Sequence, residues 1–335
     1  MFWGVSDIGQ YRQELRGSQS GPSYGMGCRG RLADRMCFSN DLRADRQACW
    51  HRADCLLHSR WICAVVAADH SEPKKRVEFK KQRIMIDYDL HIHTAYCGHA
   101  APMTVETILR QAEALGLSTI AITDHIFANK DHAVIQTIRD DVARVATGLE
   151  VFVGAEVDVD YSHTDGRLVT DNLTGLDYVI AGFHYVPTVG NYPRGPEDNA
   201  LPAEEFMEHW ASSLLGVVSN PAIDTLAHPG RLLASAVDLD VFFDDAMKVF
   251  EEAAALSANS NIAWEMNELT GCRVAAQWHG QWHHIYEIAL DAGVKLIYGS
   301  DAHAPDTIGT HRFVDSLLSK LPKGCLARPE DVIKI

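Results

Sequence analysis

The sequence predicts one barrel of parallel strands wrapped by helices, and three observations carry that prediction. From residue 85 onward, short apolar runs of β-forming residues alternate with longer amphipathic stretches, the pattern of repeated βα units. There are seven such runs, close to the eight strands of a standard barrel, within a length near the ~250 residues that such a closure needs. Every run carries His, Asp or Glu at or just beyond its end. In a parallel barrel those C-terminal ends converge on one face, where active sites are built.

The strands are expected at 86–93, 118–123, 151–157, 178–183, 224–227, 262–266 and 295–298. Helical spacing falls between them at 104–115, 133–146, 203–218, 241–255, 286–292 and 308–319. The first helix opens on Thr104-x-x-Thr107 and stops at Gly116, a side-chain cap and a left-handed terminator. The segment 186–202, with Pro187, Pro193, Gly195, Pro196 and Pro202, reads as a long mobile loop that could act as a lid. In 278–284, Trp278 and Trp282 stand four residues apart, which reads as aromatic packing at a helix start with solvated histidines.

The chain has 335 residues, 47% hydrophobic and 22% charged, enough for a full-sized core. Its net charge of −15 argues against long nucleic acids as partners. Charge is uneven: residues 1–84 hold 15 Lys+Arg against 9 Asp+Glu, so the rest carries −21. Five of the eight cysteines, Cys28, Cys37, Cys49, Cys55 and Cys63, also lie in that first part, which shows no sustained period. Residues 1–84 are therefore expected to be a poorly ordered basic extension, or the product of a start codon placed upstream of a true start at Met85; residues 85–335 form the barrel. The cysteines make no secreted disulfide framework, and the apolar run 61–68 is too short to span a bilayer. A cytoplasmic enzyme without a membrane partner is expected. Cys97, Cys272 and Cys325 show no zinc-ribbon or redox spacing and read as small apolar residues or neighbours of a site.

The strand ends read Asp89-Leu90-His91-Ile92-His93, Thr123-Asp124-His125, Gly154-Ala155-Glu156, Gly182-Phe183-His184, Ala227-His228-Pro229-Gly230, Glu265-Met266-Asn267 and Gly299-Ser300-Asp301-Ala302-His303. Alternate strand residues such as His91 and His93 point to one side, and imidazole with carboxylate suits Zn, Mn or Fe. A single strand-end histidine is commonly a hydrogen-bonded structural residue; seven strands ending so at once point to metal. One ion needs three or four protein ligands, so His91, His93, His99, His125, Glu156, His184, His228, Asp301 and His303 suffice for two or three, with carboxylates as bridges.

With Cys97-Gly98-His99-Ala100 added, these motifs resemble the PHP (polymerase and histidinol phosphatase) superfamily, from Met85 nearly to the end. The resemblance implies a distorted (β/α)7, TIM-like barrel and three divalent ions, which family members take as Zn, Mn or Fe. It implies that His91, His93, Glu156 and Asp301 hold the first ion, and His184 and His228 the second with Glu156 bridging. His99, His125 and His303 would hold the third. The implied activity is hydrolysis of a small phosphate monoester by metal-activated water, without a covalent phospho-enzyme; Glu156, Asp301 and Asp124 are taken as the catalytic residues. Asp89 and Asp124 are candidates to orient a ligand imidazole. Glu265 and Asn267 could support ligands or touch substrate, Asn267 being taken as a substrate contact. Arg231, Arg273 and Arg312 follow site strands, and Arg231 and Arg273 are the expected phosphate-binding arginines. Histidinol phosphate is one specific substrate reading. A PHP-type exonuclease is another, which Gly154-Ala155-Glu156-Val157-Asp158 favours and the acidic charge opposes. A non-catalytic module would have lost ligands, and none is lost.

Overall fold

The computed structural model describes residues 86–128 and 132–334. The expected extension at 1–84 and the start at Met85 lie outside the described residues.

All strand pairs are parallel. The seven expected strands are present, the third broken into two pieces and the second continued past its expected end by a short extra one: β1 (Tyr88–Ile92), β2 (Thr119–Ile122) with β3 (His125–Ile126), β4 (Glu150–Val153) with β5 (Ala155–Asp158), β6 (Val179–Gly182), β7 (Thr225–Leu226), β8 (Ala263–Asn267) and β9 (Leu296–Gly299). They run β1-β2-β4 in one sheet and β3-β5-β6-β7-β8-β9 in another. The breaks at Thr123-Asp124 and Gly154 let each broken strand begin in the first sheet and end in the second. Main-chain bonds span these corners, from Gly154 N to Ile122 O at 2.9 Å and from Glu156 N to Asp124 O at 3.1 Å.

The circuit closes between β9 and β1. His93 N donates to Ala302 O at 3.0 Å and Ala302 N to His91 O at 3.2 Å. Asp89 strengthens the seam, taking Ser300 N on Oδ1 and Gly309 N on Oδ2, each at 2.9 Å. The result is the distorted seven-stranded TIM-like barrel. Most of the strand residues are buried, as expected for parallel strands covered by helices.

The helices are α1 (Val105–Leu115), α2 (Val134–Arg144), α3 (Ala203–Val217), α4 (Arg231–Ala236), α5 (Leu239–Ser260), α6 (His283–Asp291), α7 (Arg312–Leu318) and α8 (Pro329–Val332). The cap of α1 is as expected: the Thr104 hydroxyl accepts from Thr107 N, and Gly116 ends the helix in left-handed geometry. Helix α5 is longer than the expected 241–255 because Asp238 caps its start and left-handed Asn261 stops it. Helices α4 and α8 escaped prediction, being too short to show a period. Trp210, Phe250 and Trp264 pack edge to face at 5.4 and 5.7 Å, seating α3 and α5 against β8. In the tryptophan-histidine run, Trp282 is fully buried and Trp278 stacks on Phe243 at 4.8 Å, but of the histidines expected in solvent only His284 is exposed; His283 is half-buried and half-buried His279 bonds the Val274 carbonyl at 2.9 Å. Helix α6 starts only after Trp282.

Candidate metal centre

The face at the C-terminal ends of the strands gathers six buried imidazoles around two carboxylates, with His99 at the edge. Register does much of this. The β3–β5 pairing sets His125 opposite Glu156, and the β8–β9 pairing sets Asn267 opposite Gly299, two residues before Asp301. Two glycines leave room for the carboxylates. A Cβ on Gly182 would lie 2.5 Å from Glu156 Oε1, and one on Gly299 would lie 2.1 Å from Glu265 Oε1. His228 (φ 33°) and Asp301 (φ 57°) have left-handed backbones, a conformation that costs a residue with a side chain about 1–3 kcal/mol and tends to occur where a site requires it.

Glu156 is the hub. Its Oε1 lies 2.7 Å from His228 Nε2 and 3.3 Å from His184 Nε2. Its Oε2 lies 2.9 Å from His125 Nδ1, 3.3 Å from His91 Nε2 and 3.5 Å from His93 Nε2. Asp301 Oδ1 faces His93 Nε2 at 3.2 Å and His91 Nε2 at 3.7 Å. On the outer side the rings of His93, His99, His125 and His303 pack together, with His93–His303 at 4.1 Å and His99–His125 at 5.3 Å.

Outer partners aim these rings. His91 Nδ1 meets Glu265 Oε1 at 2.7 Å, His184 Nδ1 meets Asp158 Oδ1 at 2.5 Å, and His303 Nδ1 meets the Asp301 carbonyl at 3.0 Å. Each bond leaves the other ring nitrogen for the centre. Asp158 was not singled out from sequence; its signal was its place two residues after Glu156, on the same face of β5.

Several expectations need correction. Asp89 orients no imidazole, because its oxygens accept main-chain N–H groups at the seam. Asp124, the other candidate to orient an imidazole, accepts from both the main chain and the hydroxyl of Thr94 and stands 3.9 Å from His93 Nδ1, beyond hydrogen-bond reach. Asn267 is fully buried; its amide faces Glu265 and Asp301 while its oxygen takes Thr270, so it has no face for substrate. Arg231 does reach the centre, with one guanidinium nitrogen 3.0 Å from Asp301 Oδ2 and another 3.1 Å from the Tyr192 hydroxyl. Arg273 lies over the Tyr192 ring at 5.9 Å, and Arg312 is exposed at the start of α7. Tyr192 itself was missed, since nothing in a proline-rich loop marks one tyrosine. That loop is tied down: Val186 N bonds Asn191 O at 2.9 Å, and the Asn199 amide bonds Ala236 O at 2.9 Å.

The electrostatics show a demand for positive charge between the carboxylates. Burial alone would lower His91 and His184. Glu265, Asp301 and Glu156 instead hold His91 well above its ordinary value, and Glu156 with Asp158 raise His184 to about 10. Elsewhere burial prevails, pushing His99 and His228 down to about 4 and His303 to about 3, which keeps these imidazoles neutral, the form that binds metal. Burial also pushes the Cys97 thiol up to about 12, so it is a thiol unless something replaces its proton. The buried His184 Nε2, His125 Nδ1 and Asp301 Oδ1 make no hydrogen bond of acceptable geometry, although other ligand-type atoms lie close by. Buried ligand-type atoms left this way call for a missing partner, and a divalent ion suits this donor set. Three groups could each hold one, with ligand atoms within 4.8 Å of one another: His91, His93 and Asp301; Glu156, His184 and His228; His99, His125 and His303.

A model of the PHP domain matches residues 89–269, more than half of the chain. The chain belongs to the PHP domain family. This PHP protein is 27% identical over 249 residues to a Clostridium acetobutylicum protein named "Probable phosphatase", a match covering 72% of this chain and 90% of the relative. A Caldicellulosiruptor bescii protein of the same name is 28% identical, with 70% and 87% covered. Among solved structures, histidinol phosphate phosphatase from Lactococcus lactis, complexed with zinc, L-histidinol and phosphate, superposes with a TM-score of 0.52 at 16% identity. That match covers 70% of this chain and 93% of the other, and it supports the barrel fold.

Proposed function

We propose that this PHP protein is a metal-dependent phosphatase that hydrolyses a small phosphate monoester at a three-ion centre. The observation that carries the proposal is the hub arrangement of Glu156, with five imidazole nitrogens within 3.5 Å of its two oxygens. In this reading His91, His93, Glu156 and Asp301 hold one ion, Glu156, His184 and His228 a second, and His99, His125 and His303 a third. Zn, Mn or Fe in these positions would supply Lewis-acid activation of water and offset charge on the phosphate.

The protein's own groups do the positioning. Glu265 and Asp158 fix the rings of His91 and His184, so their ligand nitrogens keep one direction. Arg231 presents a guanidinium beside Asp301, and Arg273 adds a second cation near Tyr192, so a phosphate at the mouth meets two planar donor groups. The relatives named as phosphatases support this class of reaction. The net charge of −15 favours a small substrate over a nucleic-acid strand.

The test is a substrate panel on metal-loaded protein: p-nitrophenyl phosphate, histidinol phosphate and a single-stranded oligonucleotide, with Zn, Mn and Fe each supplied. Release of phosphate from a monoester, with the oligonucleotide untouched, is the expected outcome. Failure of all three substrates with every metal would reject the enzyme reading, and cleavage of the oligonucleotide alone would favour an exonuclease.

A further inference from the structure

The Thr94–His99 turn brings a sulfur to the outer histidine group. Thr94 caps a short 3-10 turn over Ala95–Cys97, and left-handed Gly98 ends it, so the chain doubles back between Cys97 and His99. His99 Nδ1 is 3.1 Å from the Cys97 carbonyl, where it donates, which leaves Nε2 as the ligand nitrogen. Cys97 Sγ lies 3.9 Å from that same Nε2. It also lies within 4.8 Å of ligand atoms of His93 and His303.

The 3.9 Å between Cys97 Sγ and His99 Nε2 is close to what a shared ion would require. Zinc–nitrogen bonds of about 2.0–2.1 Å and a zinc–sulfur bond of about 2.3 Å, at a tetrahedral angle, separate N and S by roughly 3.6 Å. The second observation is the histidine group itself: His99, His125 and His303 supply three nitrogens, one short of a closed tetrahedron. We infer that Cys97 is the fourth ligand of the outer ion, giving that position one thiolate and three imidazoles and making it selective for zinc over harder ions such as manganese. The thiol proton leaves to solvent as the sulfur–metal bond forms. Thiolate is a soft donor that favours zinc, whereas manganese favours oxygen, so one chain would hold ions of different preference at its inner and outer positions.

This inference rests on the three-ion reading, and cobalt substitution of the full chain separates the two. Cobalt bound through Cys97 gives a near-ultraviolet sulfur-to-metal charge-transfer band. That band is expected in the wild type, lost in Cys97→Ser and retained in Cys272→Ser. Bound cobalt with no such band, or a band unchanged in Cys97→Ser, overturns the Cys97 assignment alone; protein that takes up no cobalt overturns the three-ion reading with it. Should Cys97→Ser misfold, iodoacetamide labelling of the unmodified protein, mapped by mass spectrometry, decides. Zinc is expected to protect Cys97 and leave exposed Cys272 reactive, and labelling of Cys97 at the same rate with and without zinc would contradict the assignment.

Discussion

Glu156 has more of the candidate centre within reach of its carboxylate than any other residue described above, with Oε1 toward His184 and His228 and Oε2 toward His91, His93 and His125. In the proposed three-ion centre, Glu156→Ala removes the group shared by two ions. It is expected to reduce kcat/KM by more than the ~10–100-fold that losing an outer partner of a ligand costs. Glu265→Gln and Asp158→Asn remove such outer partners from His91 and His184, so each is expected to fall within that ~10–100-fold range, in metal affinity or in rate. Direct metal titration and steady-state kinetics on the three variants check the ranking, and equal losses in all three would contradict the hub role. The candidate ligands were legible because ligand-type residues at strand ends are countable in a sequence. Their supports were less so: Asp89, Asp124 and Asp158 are all acids beside histidines, and only the fold distinguishes the one that reaches a ring from the two that accept main-chain or threonine donors.

At the scale of elements, the strands and their glycines place the candidate ligands. The room that Gly182 leaves is occupied by Glu156 Oε1, so Gly182→Ala is expected to displace that carboxylate and lower activity while far-ultraviolet circular dichroism stays unchanged. Thr104→Ala makes the opposite case. Loss of the α1 cap is expected to cost about 1 kcal/mol in urea unfolding with kcat/KM unaltered, since α1 carries none of the site residues. Longer helices and the Thr104–Gly116 boundaries could be read from periodicity and caps. The break at Gly154 could not, because 151–157 reads as one continuous run, nor could β3, which lies past the expected end at Thr123; both depend on pairing between distant segments. Tyr192 belongs with these: its importance comes from Arg231, thirty-nine residues away in sequence.

For the whole molecule, the proposed metal centre would couple folding to metal binding. Burying carboxylates and imidazoles at one face is costly unless their charges are balanced, and ions that bind only the folded state stabilise it by mass action. Chelation is therefore expected to lower Tm, and zinc to restore it. Every assigned site residue lies between Asp89 and His303, so a chain starting at Met85 is expected to keep the metal content and rate of the full chain; loss of either would show that residues 1–84 contribute. Seven strands and their closure were readable from alternation and length, because parallel barrels repeat one unit. The seam through Asp89 was not, since it joins the two ends of the barrel. The most direct test of the central claim is phosphate release from a small monoester as metal is titrated into chelated protein. The expected result is no release without metal and a rate that rises past the first equivalent toward saturation near three. A rate indifferent to the chelator, or none at any metal content, would contradict it.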